Sequence, residues 1–299
     1  MKKILITGAA GFIGRQLSNY LENKGVPTVD IDDLSVTPRI SPKKKLINIK
    51  VQNIDSSFLN KHSIETIIHL AAKKSVDESF YNLSNSVENY EMTLKLLSET
   101  LKSDVKRFYN ASTCEIFGYQ KKKLKEISIF SPHSPYAVTK VANELLCNLF
   151  MMQKRNLKIT SLIFFNTYGP SEGIDAVIPK FINTIINGGK IKVEGDGYQR
   201  RDFTFIDDTI EAIFKIITSK KYFRSINIGS GKDISINQLI KILKQYFPKM
   251  KLIYVPGRVN EIKTFVANTA ILNKFYNFIP KYNINLGLKK TINNFIKCN

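Results

Sequence analysis

The 299-residue chain predicts an α/β fold, a doubly wound parallel sheet followed by a smaller α/β part. Three observations carry this. Short apolar runs alternate with longer amphipathic ones through the first half. A glycine-rich turn, Gly8-Ala9-Ala10-Gly11-Phe12-Ile13-Gly14, joins the first apolar run to the first amphipathic stretch. An acid, Asp32, closes the second apolar run, 18 residues beyond Gly14. Apolar runs with helical segments between them describe strands covered on both faces.

In chain order, the strands are expected at residues 3–7, 28–31, 46–51, 66–70, 107–111 and 159–165. Helical spacing of apolar residues marks 13–24, 84–101 and 136–154 in the same half. The second half is more irregular. Helices are expected at 178–187, 207–217 and 236–247, separated by turns such as Gly195-Asp196-Gly197 and Gly229-Ser230-Gly231. No internal repeat or low-complexity linker interrupts the pattern. Residues 1–170 are read as a nucleotide-binding domain and 171–299 as a substrate-binding part, with segments near 202–230 returning to the first.

Composition removes several classes. With 43% hydrophobic and 23% charged residues, the chain is neither disordered nor fibrous. No apolar run approaches the roughly 20 residues that span a bilayer, so no membrane association is expected. The start, Met1 to Gly8, reads as a strand rather than a leader, and three cysteines without metal-ligand spacing fit a reduced cytoplasm and no metal. The formal charge of +20 invites a nucleic-acid reading. Yet the 45 basic residues comprise 37 Lys and 8 Arg spread along the whole chain, beside 26 Asn. The runs Lys43–Lys45 and Lys121–Lys123 lack the interleaved aromatics on which bases stack. A compositional bias accounts for the charge, and no nucleic-acid partner is expected.

Glycine at the turn lets the backbone bend tightly and lets a pyrophosphate approach the helix N-terminus, where free N–H groups and the dipole favour an anion. Strand before, helix after and Asp32 at the end of the next strand make this a dinucleotide site. A carboxylate at Asp32 accepts from ribose hydroxyls and repels a 2′-phosphate. No Arg lies between Arg15 and Arg39, so NAD is expected rather than NADP.

The spacing G-x-x-G-x-x-G resembles that of the extended short-chain dehydrogenase/reductase family, the NAD-dependent nucleotide-sugar epimerases and dehydratases. The resemblance runs over nearly the whole chain and implies a Rossmann domain. His69-Leu70-Ala71-Ala72 matches the family's H-x-A-A. The resemblance then places Leu70, Ala71, Ala72 and Lys74 on the cofactor, with Asn89 near its phosphates. It adds Phe12, Ile13, Asp33 and Leu34 around the glycine turn and Asp32. Asn53-Ile54 stands where the family usually has Asp-Ile against the adenine, and an Asn carbonyl still accepts from the adenine amino group.

Tyr136-Ala137-Val138-Thr139-Lys140 sets a phenol and an ammonium at i and i+4 on one helical face. A nearby cation stabilises phenolate, so Lys140 and the oxidised nicotinamide are expected to pull the Tyr136 pKa below about 10. That makes Tyr136 the base for a sugar hydroxyl, with Lys140 also reaching the nicotinamide ribose. The segment Ser112-Thr113-Cys114-Glu115 ends a strand at the edge where doubly wound sheets bind ligands. By resemblance, Thr113 holds the oxygen being oxidised. Glu115 resembles the dehydratase acid that takes the C5 proton, although Cys114 replaces the dehydratase Asp, and a thiol is a poor donor to a leaving hydroxyl.

Phe165-Asn166-Thr167-Tyr168-Gly169-Pro170 resembles F-N-x-Y-G-P, whose Asn touches the substrate diphosphate. The run from Ala176-Val177 and the later Gly195 to Phe203 resemble epimerase patterns, assigning Val177 and Arg201 to substrate. Arg258, with Glu261, matches a late R-x-G-[DE] element in which Asn260 replaces Gly. Paired guanidinium forks suit a diphosphate. The resemblance therefore implies an enzyme of carbohydrate metabolism and polysaccharide biosynthesis, cytoplasmic and NAD-dependent. It would 4-epimerise a UDP-hexose through a transient 4-keto sugar. A 4,6-dehydratase using Glu115 is the alternative, and a non-catalytic NAD-binding regulator a remote one. The family commonly forms homodimers through two helices per subunit, here 84–101 and 136–154.

Overall fold

The computed structural model describes residues 2–35, 46–120, 122–154, 156–257 and 262–298. Two compact units emerge. The first comprises Met1–Ile116, Phe130–Ile163 and Phe214–Ile226, the second Phe117–Ile129, Phe164–Ile213 and Asn227–Asn299. The long run of the first unit thus ends at Ile163, residues 117–129 go with the second unit, and residues 214–226 return to the first.

The first unit is built on strands β1 (Lys3–Thr7), β2 (Thr28–Asp32), β3 (Ile47–Asn48), β4 (Ile64–His69), β5 (Arg107–Thr113) and β6 (Lys158–Phe164). Its helices are α1 (Phe12–Asn23), α2 (Ser56–Lys61), α3 (Val76–Ser79), α4 (Leu83–Leu101) and α5 (Pro135–Gln153). The seven-stranded sheet runs strand Ser225–Ile228, β6, β5, β4, β1, β2, β3. β1 pairs in parallel with β2 and β4, β4 with β5, and β2 with β3. Order reverses beside β1, the place where such sheets bind ligands at the strand C-termini. Leu5, Ile31, Ile67 and Phe108 from the strands share an apolar core with Leu96 and Leu97 of α4 and Leu146 of α5. These helices form because their apolar residues recur every third or fourth position and meet that core.

The strand expected at 46–51 shortens to Ile47–Asn48 and gives way to a 3-10 turn, Val51–Asn53. At a sheet edge with polar Asn48 and Lys50, only one side is available for pairing. Two helix starts are capped as their sequences suggest. Ser134 Oγ accepts from the Ala137 N–H at the head of α5, with Pro135 in the first turn, and Asp55 accepts from Phe58 N–H at α2.

The second unit has short ladders. Asn166–Tyr168 pairs in parallel with Phe203–Phe205, and Lys190–Glu194 with Lys251–Val255. Arg200–Arg201 lies between Ile234–Ser235 and Thr264–Phe265. Buried Asp202 ties the first and third of these together: its backbone pairs with Asn166 and Phe265, one carboxylate oxygen accepts from the Ser230 N–H, and the other from the Gly231 and Ala267 N–H groups at 2.9 and 3.1 Å. Helix Ile236–Tyr246 opens with a Ser235/Gln238 capping box. Helices Ala270–Tyr276 and Ile284–Cys298 were not expected from the sequence, because Gly287 and an Asn pair dilute the apolar spacing of Leu288, Ile292 and Phe295. Gly287 is required there: a Cβ would lie 2.0 Å from the Tyr168 hydroxyl.

Candidate active site

The glycine turn is shaped by close approach. Gly8 has φ +69, and a Cβ on it would sit 2.7 Å from the Ala71 nitrogen. A Cβ on Gly14 would sit 2.1 Å from the Gly8 carbonyl oxygen, so glycine alone lets α1 start against β1. Gly11 occupies the α1 N-cap and supplies no side-chain acceptor to the first-turn N–H groups. Phe12 and Ile13 begin that turn. These open donors suit a pyrophosphate. Asp32 Oδ2 accepts from Ala10 N–H at 3.0 Å and Oδ1 from Leu34 N–H at 2.9 Å. The carboxylate thus braces the turn and still has lone pairs for ribose hydroxyls. Asp33 Oδ1 accepts from Ser35 N–H, and Leu34 adopts φ +54.

Around the remaining expected cofactor residues the structure separates surface from support. Asn53 is exposed on its 3-10 turn, whereas Ile54 is fully buried in the apolar core. Leu70, Ala71 and Ala72 are half-buried after β4, and Lys74 is exposed. Asn89 on α4 spends its amide on the loop: Oδ1 accepts from Lys73 N–H at 2.8 Å and Nδ2 donates to the Lys73 carbonyl at 2.9 Å. His69 is completely buried between two hydroxyls, Nδ1 2.8 Å from Thr7 Oγ1 and Nε2 3.2 Å from Thr93 Oγ1. Thr7 Oγ1 also accepts from Ala71 N–H, and Asn143 Nδ2 donates to Thr93 Oγ1 at 2.9 Å. This chain is satisfied by a neutral imidazole, and burial drives the His69 pKa down to about 3.

The catalytic candidates meet where β5 ends and α5 begins. Lys140 Nζ donates to the Ala111 carbonyl at 2.8 Å and lies 5.9 Å from the Tyr136 ring centre. Both side chains are buried. Thr113 Oγ1 accepts from Glu115 N–H and faces the Tyr136 phenol. Burial lowers the Lys140 pKa to about 8. The expected lowering of the Tyr136 pKa is not found in the protein alone: burial, then the neighbouring Glu115 and Cys114, push it well above the usual phenol range. Desolvation of the phenolate dominates, Glu115 adds a like charge, and the Thr113 hydroxyl opposes them only in part.

In the second unit, Asn166 donates its N–H to the Asp202 carbonyl while its side-chain Oδ1 is buried without a hydrogen bond. Val177 opens helix Val177–Ile186. Arg201 lies over Phe265, 5.3 Å from the ring centre, and Nη1 donates to the Arg200 and Ile262 carbonyls. Arg258, with Glu261, falls outside the described residues, as do Lys43–Lys45 and Lys121.

A family profile, the NAD dependent epimerase/dehydratase family, matches residues 4–229. The chain belongs to that family. It is 35% identical to UDP-glucuronate 4-epimerase of Thermodesulfobacterium geofontis, over 97% of this chain and 94% of that protein. Among solved structures it resembles TunA, a NAD-dependent NDP-hexosamine 5,6-dehydratase of tunicamycin biosynthesis. The TM-score is 0.94 at 32% identity, covering 99% and 98% of the two chains. It also resembles UDP-glucuronic acid 4-epimerase of Bacillus cereus in complex with UDP-glucuronic acid and NAD, with TM-score 0.92, 27% identity and full coverage of both chains.

NAD, the cofactor of this epimerase/dehydratase family, fits the turn. The three cradling glycines and the uncapped α1 start leave backbone N–H groups open to a pyrophosphate, and Asp32 keeps lone pairs of the kind that ribose hydroxyls seek. Sequence reasoning missed the supports: Thr7, Thr93 and Asn143 around His69, and Asn89 as a clamp on Lys73. Short polar residues on buried helix faces were the available signal. Among the described residues no His/Cys/Asp/Glu group could hold a metal, and no helix is long and apolar enough to cross a membrane.

Proposed function

We propose that this enzyme is an NAD-dependent nucleotide-sugar 4-epimerase acting on a UDP-hexose or UDP-hexuronate. The observation that supports it most is the buried set at the β5–α5 junction, with the Thr113 hydroxyl facing Tyr136 and Lys140 below it. Tyr136 takes the proton of the sugar C4 hydroxyl, and Thr113 holds that oxygen while the carbonyl forms. Lys140 supplies the positive charge that makes a buried phenolate tolerable. Bound NAD is the hydride acceptor for C4 and the donor on return, so none is consumed. The 4-keto sugar then presents its opposite face, and Tyr136 returns the proton to the new C4 oxygen. Asn166, Val177, Arg201 and Arg258 are read as the holders of the UDP-sugar.

A second reading rests on Glu115, close enough to Tyr136 to raise its proton affinity. After C4 oxidation the C5 proton is acidic; Glu115 takes it, and the C6 hydroxyl leaves as water. The likeness to a 5,6-dehydratase keeps elimination in view, whether the product is 4-keto-6-deoxy or a 5,6-alkene. Incubation with UDP-glucose, UDP-glucuronate, UDP-N-acetylglucosamine and dTDP-glucose separates them. Unchanged mass with C4 inversion by NMR supports epimerisation. Loss of one water from any of them overturns it in favour of elimination. The homodimer implied by resemblance is supported by exposed Val87 on α4 and Val138, Leu145, Leu149 and Met152 on α5.

A further inference from the structure

Helix α5 carries a third buried polar residue in line with Tyr136 and Lys140. Glu144 follows Lys140 by four residues, as Lys140 follows Tyr136, so all three share one helical face. Glu144 is only 5% exposed. Its carboxyl faces the hydroxyls of Ser112 on β5 and Ser161 on β6, and its Oε1 is buried without a hydrogen bond. The two hydroxyls offset only part of the burial of a carboxylate, and the Lys140 cation on the same helical face adds its attraction to theirs.

We infer that Glu144 is a positioning residue for Lys140, a buried counter-charge that keeps the ammonium protonated and in place beneath Tyr136. The groups whose charge or hydrogen bonds reach this pair leave little else for the task. On α5, besides Tyr136, lies Cys147, whose thiol burial pushes far up and keeps neutral. His69 on β4 senses Lys140 but is itself neutral above about 3. β5 and β6 offer the Ala111 carbonyl and the two serine hydroxyls. Burial pushes the Lys140 proton affinity down and that of Glu144 up, so the two converge, and their mutual attraction opposes both shifts. Lys140 already titrates at about 8; without Glu144 it falls towards neutral pH and loses the charge that the Tyr136 phenolate needs.

This inference rests on the reading of Tyr136 and Lys140 as the working pair, and its first test needs no substrate. Lysine NMR of the NAD-loaded protein, with Lys140 assigned by K140M, follows the ammonium directly. In Glu144→Gln, which keeps the shape, the Lys140 midpoint is expected to fall by about one pH unit. Glu144→Asp, which keeps the charge but not the length, should lie nearer the unsubstituted protein. An unmoved midpoint in E144Q, or E144D displaced further than E144Q, overturns the inference, since packing alone would favour the longer Gln. If E144Q does not fold, Ser161→Ala weakens the support of the carboxylate and is expected to shift the midpoint the same way by a few tenths of a unit; no shift overturns the inference. Where sugar-nucleotide turnover is measured, the descending high-pH limb of kcat should move to lower pH in E144Q. Absence of any turnover by the unsubstituted enzyme would instead count against the proposed function.

Discussion

At the residue scale, the proposed chemistry turns on Tyr136, whose phenol would have to lose a proton that burial and Glu115 make it hold. Tyr136→Phe is therefore expected to cut turnover by a factor of about 10²–10⁴ while leaving NAD content intact, measured by sugar-nucleotide NMR and by released cofactor. Glu115→Gln separates the two readings. It removes a like charge, so the ascending low-pH limb of an epimerase should move to lower pH with kcat within about tenfold; an elimination would lose a factor of about 10²–10⁴. The same residue shows what sequence can reveal. The i, i+4 spacing of Tyr136 and Lys140 is legible as a shared face, but the sign of the Tyr136 shift is not. That sign depends on how much water the fold removes, and no local pattern reports it. His69 makes the point again. Its pKa of about 3, against 6.5 in an open chain, means that stability is lost as pH falls from 6.5 towards 3, by about 1.4 kcal/mol per unit crossed. Urea midpoints for unsubstituted protein and His69→Asn across that window should converge as pH falls; parallel curves would remove His69 from the acid response.

At the element scale, the turn between β1 and α1 is the most constrained piece of backbone. Gly14→Ala places a methyl 2.1 Å from the Gly8 oxygen, and neither atom sits on a flexible side chain. Loss of about 3 kcal/mol or more of stability is expected, together with loss of bound NAD, by thermal melting and cofactor quantitation. Unchanged melting would mean that α1 does not start where it is described. This element was legible in the sequence because glycine, strand and helix signals coincide. The edge strand β3 and the helix Ile284–Cys298 were not. The first is truncated by having one neighbour, and the second owes its order to burying Leu288, Ile292 and Phe295 despite a glycine in its first turn.

At the scale of the whole molecule, the +20 charge is carried mostly by lysines with no common destination. The apolar side chains left exposed along α4 and α5 are more telling. A homodimer through these helices predicts that Leu149→Glu sediments as a monomer where the unsubstituted chain sediments as a dimer; a monomeric unsubstituted chain at micromolar concentration refutes it. The alternation of strands and helices in the first half, the glycine turn, the acid Asp32 and the shared face of Tyr136 and Lys140 were legible in the sequence alone, because each is a short-range pattern whose spacing is its meaning. The Thr7–His69–Thr93–Asn143 chain, the Asn89 clamp on Lys73 and the burial of Glu144 beneath Lys140 were decided only in the tertiary structure. They join residues up to 136 positions apart, from Thr7 to Asn143, and burial alone turns ordinary hydroxyls, amides and carboxyls into partners whose hydrogen bonds and charges must be matched.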